Sequence, residues 1–521
     1  MNTKNTLFLA KHTFLAIAFL LLSTIVANAQ TVFGFQNYSG DHLWSNAANW
    51  TDSQKPTDET AVVMVYADVI VDEDINIGTL HNSNNCTLTV LTGRTVFVNN
   101  GIEWGDNDFI LEDKAELVYR DPLHVIIKKS VSAFDNNAQL ASLIASPVKE
   151  EILPSIENGI LTDYESGYVL YAFNSNNLGN VDSLWIDFKK SPFSLANGNA
   201  YLYANAFDTT LLFEGTTIGY NTEFDLSYHP ENGAFAGCHF TGNPLPCNAF
   251  LDRSYYILSD ESKSLIAVAN SETRSIAPCS GIILNSIGPE DNSVSFSFMP
   301  FLQNLENKGY IEITSAKSNA PTLVLDQALL SFNEGDDLIK YVYYKNTPQV
   351  YFNKDGKDFA ILSIENTDYQ TLRFKTTENG SYTLHFNLKN LSLPYLHLWD
   401  NITGNKVDLL ANPNYTFNSS TSDYASRFKL VFDPHYGVGD FEDGPSTGSG
   451  AFAYYANGEI VINGVETCHG ASLQIIDMTG RVVVSMGDVS GNVSTNGWAK
   501  GVYVLRLNIT DGVRTQKMVI Q

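Results

Sequence analysis

Short runs in which apolar and polar side chains alternate recur along most of the chain. In the run GVYVLRLNI, for example, Tyr503, Leu505 and Leu507 alternate with Val504 and Arg506. A period of two places every second side chain on the same face, which is typical of a strand with one buried side. Turn-forming Asn, Gly and Asp residues separate the runs. The pattern therefore predicts an all-β protein.

The region 30–136 contains an evenly spaced series of such runs. They are Val69–Val71, Ile75–Ile77, Leu88–Val90, Val96–Val98, Phe109–Leu111, Leu117–Tyr119 and Val125–Ile127. This spacing predicts short β-repeats, arranged either as a β-helix-like stack or as an open β-sandwich. Trp44 and Trp50 precede the series, and two interpretations stay open for them. They are platforms on which a glycan stacks, or they cap a hydrophobic core, as tryptophans beside a first strand more often do.

Two further β regions and a linker follow. Residues 137–300 are predicted to form a β-rich, sandwich-like domain, because Tyr201 and Tyr203 lie on one face of a strand and the chain contains a Gly-Asn-Pro turn at 242–244. In residues 301–433, alternating runs between hairpin turns predict an immunoglobulin-like β-sandwich. Residues 434–450 are rich in Gly, Ser and acidic residues, which predicts a flexible linker before the segment 451–521.

The first 29 residues have the composition of a secretory signal peptide. Lys4 and Lys11 precede the apolar run Phe14–Leu22, and the small-residue triplet Ala27–Ala29 ends the segment. Removal of this segment leaves a mature chain that begins at Gln30. No later run has the roughly 18 apolar residues that a spanning helix needs, so we expect no transmembrane segment in the mature chain.

Composition narrows the classes of protein further. A chain of 521 residues is too long for one core, so several domains are expected. The 31 basic residues stand against 57 acidic ones, which gives a formal net charge of −26. An acidic surface repels phosphate groups, and no basic cluster offsets it, so a nucleic-acid partner is excluded.

The segment 451–521 contains two motifs, I-I-D-M-T-G-R and G-V-Y-V-L, followed by a lysine near an apolar end. In this order they resemble the type A C-terminal sorting domain of the Bacteroidetes type IX secretion system. The matching positions are Asp477, Gly480, Arg481, Gly501, Tyr503 and Lys517. The resemblance implies an immunoglobulin-like fold, the secretion machinery as a partner, and a protein that is secreted or attached to the outer membrane at the cell surface.

The cysteine count is odd, so at least one thiol has no partner within the chain. The five cysteines are Cys86, Cys238, Cys247, Cys279 and Cys468. An oxidising compartment outside the cytoplasm allows a disulfide, and the pair predicted here is Cys238 with Cys247.

Motifs of catalysis and of metal binding are sparse. The sequence has no H-E-x-x-H and no P-loop, so zinc-protease and nucleotide sites are unsupported. Its one G-x-S-x-G, at residues 444–448, lies in the Gly- and Ser-rich linker and not between a strand and a helix, so an esterase site is unsupported as well. Acidic clusters allow a structural calcium ion, for which Asp336 and Asp337 in the loop NEGDD are the best candidates. The competing interpretation is that these acids stabilise turns, since Asp and Asn hydrogen-bond their own backbone. Beyond that calcium ion we expect no cofactor.

Two functions from different classes remain. The first is a non-catalytic, multidomain protein of the cell surface, adhesin-like, that binds a glycan or a host surface ligand. The alternative is a secreted hydrolase that acts on polysaccharide or protein through a site that motifs do not reveal, because two carboxyl groups suffice for glycoside hydrolysis.

Overall fold

The structure is a computed structural model that divides the chain into two compact units, Met1–Tyr436 and Gly437–Gln521. It describes residues 31–134, 141–162, 167–176, 181–219, 221–259, 265–272, 274–301, 309–342, 347–365, 367–434, 436, 453–456, 458–462, 472–487, 492–509 and 512–520. The predicted signal peptide, Cys468 and residues 437–450 of the predicted linker lie outside this description. Within it, the helices are short 3-10 turns: Ala47–Asn49, Thr51–Ser53, Val181–Leu184, Pro230–Phe235 and Asn270–Glu272. The predicted all-β class is confirmed.

The first unit begins with a stack of parallel strands. Its strands are β1 (Val32–Phe35), β2 (Val62–Val65), β3 (Val69–Val71), β4 (Ile75–Asn82), β5 (Leu88–Val90), β6 (Thr95–Glu103), β7 (Phe109–Leu111), β8 (Glu116–Val118) and β9 (His124–Val131). From β2 to β9, successive strands alternate between two sheets, one ordered β1-β2-β4-β6-β8 and the other containing β3-β5-β7-β9. All pairs among these nine strands are parallel. This is the β-helix-like arrangement, in which each coil packs on the next.

A second group of strands continues from the stack. They are β10 (Ser142–Ala145), β11 (Val169–Phe173), β12 (Trp185–Asp187), β13 (Ala200–Ala204), β14 (Thr209–Thr216), β15 (Asn221–Asp225), β16 (Cys238–Gly242), β17 (Phe250–Leu251), β18 (Tyr255–Leu258), β19 (Leu265–Val268), β20 (Gly281–Asn285) and β21 (Ser293–Ser297). Strand β14 pairs antiparallel with β9 and so extends the second sheet of the stack. The other strands form sheets ordered β10-β13-β11-β12, β15-β21-β17 and β16-β20-β18-β19.

The stack and the second group share one hydrophobic core. Ile144, Leu170 and Tyr203 belong to the same buried cluster as the side chains inside the stack. A polar contact adds to this junction, because both carboxylate oxygens of Glu116 accept hydrogen bonds from Asn248, one from its backbone N–H (2.8 Å) and one from its side-chain amide (2.7 Å). Burial raises the pKa of Glu116 above its ordinary value of 4.5.

The third group of strands surrounds a core of its own. They are β22 (Tyr310–Lys317), β23 (Asp326–Ser331), β24 (Leu338–Ile339), β25 (Gln349–Lys354), β26 (Lys357–Ser363), β27 (Tyr369–Lys375), β28 (Gly380–Lys389), β29 (His397–Asp400), β30 (Lys406–Asp408), β31 (Asn414–Ser419) and β32 (Phe428–Val431). They form one hydrogen-bonded path, β30-β29-β32-β27-β25-β26-β23-β22-β28-β31, with β24 paired to β26. Side chains from distant parts of this path, such as Ile313 and Leu398, meet in one cluster, so the path folds around a sandwich-like core.

The second unit contains two small antiparallel sheets. Its strands are β33 (Ala453–Ala456), β34 (Glu459–Ile462), β35 (Ser472–Asp477), β36 (Val482–Met486), β37 (Val493–Ser494), β38 (Gly501–Ile509) and β39 (Gly512–Ile520). The sheets are ordered β33-β34-β37 and β36-β35-β38-β39. Ile460, Leu473 and Leu505 share one buried cluster between them. Period-two alternation in β35 and β38 places these apolar side chains on the inner faces.

Candidate functional site

The turn between β35 and β36 is organised by the side chain of Asp477. Its Oδ1 accepts hydrogen bonds from the Thr479 hydroxyl (2.6 Å) and from the backbone N–H groups of Thr479 and Arg481 (3.0 Å each). Its Oδ2 accepts from Arg481 Nε at 3.0 Å. These hydrogen bonds stabilise the ionised carboxylate, and the bond from the Thr479 hydroxyl has the largest effect. Together they lower the pKa of Asp477 to about 2.

Gly480 supplies the backbone conformation that this turn requires. Its φ is +82°, in the left-handed region that residues with a Cβ rarely adopt. Its N–H donates to the carbonyl oxygen of Asp477 at 3.0 Å. The guanidinium of Arg481 is held by Asp477 and still has 76% of its side-chain surface exposed. The turn therefore presents a fixed cation to solvent.

The register of the sheet brings the matched positions together. Asp477 on β35 lies opposite Tyr503 on β38. Lys517 on β39 lies opposite Val504, the next residue along β38, and Gly501 begins the same strand. All six matched positions are thus close to one end of the four-stranded sheet, and the side chain of Lys517 is exposed there.

Tyr503 anchors this end of the sheet to the core. Its ring is buried, and its centroid lies 5.1 Å from that of Trp498. Its hydroxyl donates to the backbone carbonyl of Ala499 at 2.8 Å, so the polar end of the buried ring has a partner. Five of the six matched residues are thus of two kinds, since Asp477, Gly480 and Tyr503 fix the shape while Arg481 and Lys517 face outward.

The two tryptophans considered as glycan platforms are buried. Trp44 has no exposed surface and Trp50 is 1% exposed. Their rings pack edge to face at 4.6 Å, and Trp50 Nε1 donates to the carbonyl of Trp44 at 2.8 Å. Stacking on a sugar requires an open ring face, so the stacking interpretation is wrong for this pair. The tryptophans belong to the core of the stack, together with Phe35.

The predicted disulfide between Cys238 and Cys247 is absent from the structure. Both cysteines are free and buried, and they belong to two different core clusters. Cys238 opens β16, whereas Cys247 lies in the turn before β17, so the strand pairing directs them to different clusters. Burial raises the pKa of the Cys238 thiol to about 12, and that of Cys247 is raised for the same reason.

The two calcium candidates serve as hydrogen-bond acceptors in the described structure. Asp336 is 1% exposed, and its Oδ2 accepts from the hydroxyls of Ser271 (3.0 Å) and Ser331. Burial raises its pKa. Asp337 accepts a hydrogen bond from the backbone N–H of Ser363 at 2.6 Å. Donors thus already face oxygens that a calcium ion would need. They come from Ser271, Ser331 and Ser363 and not from the acids' own backbone, which differs from the turn interpretation. No group of three His, Cys, Asp or Glu side chains suited to a metal was found among the described residues.

A buried ionic network that sequence patterns did not single out lies inside the sandwich. Arg427 Nε and Nη2 donate to the two oxygens of Asp400 at 2.9 and 2.7 Å, and the Tyr415 hydroxyl donates to Asp400 at 2.9 Å. Burial raises the pKa of Asp400, but the hydrogen bonds from Arg427 and Tyr415 outweigh it, so that the net shift is downward. One feature of the sequence does indicate this network. Asp400 follows Leu396 and Leu398 at the same spacing of two residues, which places its side chain on the buried face of the strand.

A cleft of about 320 Å³ opens between the second and third groups of strands. Its lining includes Tyr228, Gly237, Ile287, Tyr341, Lys357 and Asp358. Lys357 Nζ lies 5.8 Å from the centroid of Tyr228 and donates to the Ile287 carbonyl at 3.3 Å. Among the described residues that line the cleft, Asp358 is the single carboxylate. The cleft therefore lacks the pair of carboxyl groups that the common glycosidase mechanisms use.

In the part of the chain that the structure describes, no helix has the length and apolar character needed to cross a membrane. A search of the curated proteins found no match. Among solved structures, a chain titled "Biofilm associated protein - BSP domain" is similar at 9% sequence identity, over 76% of this chain and 96% of that one. The TM-score of that similarity is 0.11, which is too low to support an argument about fold or function.

The comparison that does bear on function concerns the second unit. Residues 456–521 match the model of a family described as "Secretion system C-terminal sorting domain". The matched range contains the Asp477 turn, the Tyr503 anchor and the exposed Arg481 and Lys517. Residues 456–521 of this chain therefore belong to the family of secretion system C-terminal sorting domains, and the protein is secreted through type IX sorting.

Proposed function

We propose that this protein is a non-catalytic cargo of type IX secretion that works at the cell surface or in the medium, where its first unit adheres to or binds a glycan or another surface ligand. The sorting domain is the observation that carries the proposal, because a protein that it directs outward meets its ligand outside the cell. Attachment to the outer membrane after export belongs to the same proposal.

Features of the first unit support binding rather than catalysis. The cleft between the second and third groups of strands combines an aromatic ring, a lysine and backbone groups around Asp358, which suits recognition of a polar ligand. The carboxyl groups with raised pKa, such as those of Glu116 and Asp336, already accept hydrogen bonds from amide or hydroxyl donors inside the fold.

The export half of the proposal is tested by deleting residues 451–521 and fractionating the cells. We expect the truncated protein to accumulate in the periplasm, because the sorting domain with Asp477, Arg481 and Lys517 is then missing. The double variant Arg481→Ala/Lys517→Ala is expected to reduce export while leaving the sorting domain folded, since both side chains face solvent.

A matched control for that double variant is Arg120→Ala/Lys190→Ala, which removes two exposed cations from the first unit. This control is expected to be exported normally. Appearance of the truncated protein in the medium at the level of the full chain would refute the role of the sorting domain.

The binding half is tested with the secreted protein on a panel of immobilised glycans. We expect at least one glycan to retain it. The same preparation is incubated with soluble polysaccharides and proteins, and release of reducing sugar or of peptides would contradict the non-catalytic assignment in favour of the secreted hydrolase.

A further inference from the structure

The outer face of the sandwich carries a compact group of aromatic and basic side chains, which we term the aromatic face. Its members are Tyr369, His397, Trp399, Lys406, Lys429 and Tyr436. They lie on β27, β29, β30 and β32 and just after β32. The intervening side chains of the same strands, Leu372, Leu398 and Leu430, point into the core, so alternation directs the aromatic face outward.

The rings of the aromatic face are in mutual contact. The centroid of Tyr436 lies 4.7 Å from that of Tyr369 and 5.2 Å from that of Trp399. Tyr369 retains 40% of its surface exposed. Three aromatic side chains from separate segments thus form one continuous patch on the outside of the sheet.

Each lysine of the aromatic face is placed against a ring. Lys406 Nζ lies 3.6 Å from the centroid of Trp399, and Lys429 Nζ lies 4.8 Å from that of Tyr369. Lys429 also donates to the hydroxyl of Tyr436 at 3.2 Å. In the sheet, Trp399 pairs with both Lys406 and Lys429, so the two cations flank the tryptophan. Two ammonium groups thus lie beside one tryptophan in a chain whose net charge is −26.

A second observation also indicates a ligand at this place. Trp399 Nε1 is buried and has no hydrogen-bond partner among the described residues. A buried donor without an acceptor costs about 1–3 kcal/mol, so a rearrangement that opens Nε1 to an acceptor on a ligand is favourable there. The exposed Lys406, with its flexible stem, lies over the indole and can move aside.

We propose that the aromatic face binds an acidic saccharide, one that carries carboxylate or sulfate groups. The apolar face of a sugar ring lies on Trp399 in place of the Lys406 ammonium, and the anionic group of the sugar pairs with Lys406 and Lys429. Cations beside ring faces suit this class of ligand, because the rings contact C–H groups while the lysines neutralise the charge. This inference rests on the proposed function, in which the first unit binds a ligand outside the cell.

The test measures binding of the mature chain, from Gln30 onward, to heparin, polygalacturonate and neutral dextran. We expect binding to at least one of the two acidic polymers and none to dextran. Comparison of heparin with polygalacturonate distinguishes sulfate from carboxylate recognition. The affinity is expected to fall when the salt concentration rises from about 50 mM to about 500 mM, because salt screens the lysines.

The double variant Lys406→Gln/Lys429→Gln is expected to bind the acidic polymer at least about tenfold more weakly. Trp399→Ala is expected to lose binding as well, with the thermal unfolding midpoint checking its fold. Lys189→Gln is the matched control, because Lys189 lies 4.5 Å from the ring of Tyr168 and outside the aromatic face. This control is expected to bind like the wild type.

Three results would overturn the inference: no binding to either acidic polymer, equal binding to dextran, or unchanged affinity of the lysine double variant. None of them touches the export assay, in which the lysine double variant is expected to reach the medium. Retention of the full chain in the periplasm would instead refute the proposed function, whatever the polymers show.

Discussion

Arg427 is the largest charged side chain that is almost fully buried in the described structure, and its surroundings explain how the sandwich accommodates it. Besides the paired bonds to Asp400, its Nη1 donates to the carbonyl of Asn418 at 2.7 Å. The guanidinium also lies 4.6 Å from the centroid of the Phe417 ring. A planar guanidinium can satisfy a carboxylate and an aromatic face together, which a lysine cannot.

Replacing Arg427 with Met is expected to destabilise the first unit by about 3–5 kcal/mol, because Asp400 is then a buried carboxylate without its cation. Denaturant unfolding of the full chain measures the loss. The control is Arg120→Met, which removes an arginine whose ion pair with Asp121 is more than half exposed. The control is expected to cost less than about 1 kcal/mol. If the two variants lost the same free energy of unfolding, the buried ion pair would contribute no more to stability than the exposed one.

At the scale of single residues, sequence patterns identified the turn residues of the sorting domain and missed the burial of others. Asp477 and Gly480 act within a few residues of each other, so local sequence is enough to recognise them. Whether Trp44 is exposed, or whether Cys238 meets Cys247, depends on strands that are distant in the chain. Such packing is set by tertiary structure, and spacing along the sequence does not encode it directly.

The β35–β36 hairpin is the element whose shape depends most clearly on one backbone angle. At a φ of +82°, any residue with a Cβ is strained at position 480. A Cβ there would meet no neighbouring atom, so the strain of a substitution arises from the backbone alone.

Gly480→Ala is therefore expected to destabilise the hairpin by about 1–2 kcal/mol. Hydrogen exchange of the β35 and β36 amides in the full chain should accelerate by roughly 5-fold to 30-fold. Gly487→Ala is the control, since Gly487 lies just beyond β36, has open space around it and has no positive φ. Acceleration of the same size in the control would mean that the turn conformation is not the cause.

Strand positions were predictable where a strand stands between clear turns. The runs Val69–Val71, Leu88–Val90 and Phe109–Leu111 are strands with those bounds in the structure. Their pairing was not predictable, because a coil of a parallel stack and a strand of an antiparallel sandwich both bury every second side chain. The antiparallel addition of β14 to the stack likewise depends on contacts that alternation does not contain.

For the whole molecule, buried carboxylates link stability to pH. Burial raises the pKa of five of them, Glu116, Asp252, Glu272, Asp326 and Asp336. At a pH between its two pKa values, such an acid is protonated in the folded state and ionised in the unfolded state. Its contribution to stability therefore falls as the pH rises through the window between the ordinary and the raised pKa.

Glu116→Gln removes one such acid at the junction of the stack and the second group of strands. Relative to this variant, the wild type is expected to gain free energy of unfolding as the pH falls from 7 toward 4.5, the ordinary pKa of the group. Denaturant unfolding at several pH values measures the difference. Glu290→Gln, at an exposed position, is the control and is expected to leave the pH dependence unchanged. If the free energies of unfolding of the wild type and of Glu116→Gln differed by the same amount at every pH, the role of Glu116 ionisation would be contradicted.

At this scale, composition signalled the separate second unit, because a run rich in Gly, Ser and acidic residues precedes it. The shared core of the stack and the second group gave no such signal, since no change in composition marks their junction. The aromatic face was hidden for a related reason, because its residues come from segments that only the sandwich brings side by side.

The parallel stack has a consequence for how chains of this kind vary in length. Each coil pairs only with the coil before and after it, at a spacing of about 4.8 Å. Gain or loss of one whole coil changes the height of the stack and preserves the register of the remaining strand pairs. A single residue inserted inside a strand instead moves the side chains that follow it in that strand to the opposite face of the sheet. Longer and shorter versions should therefore differ by complete coils.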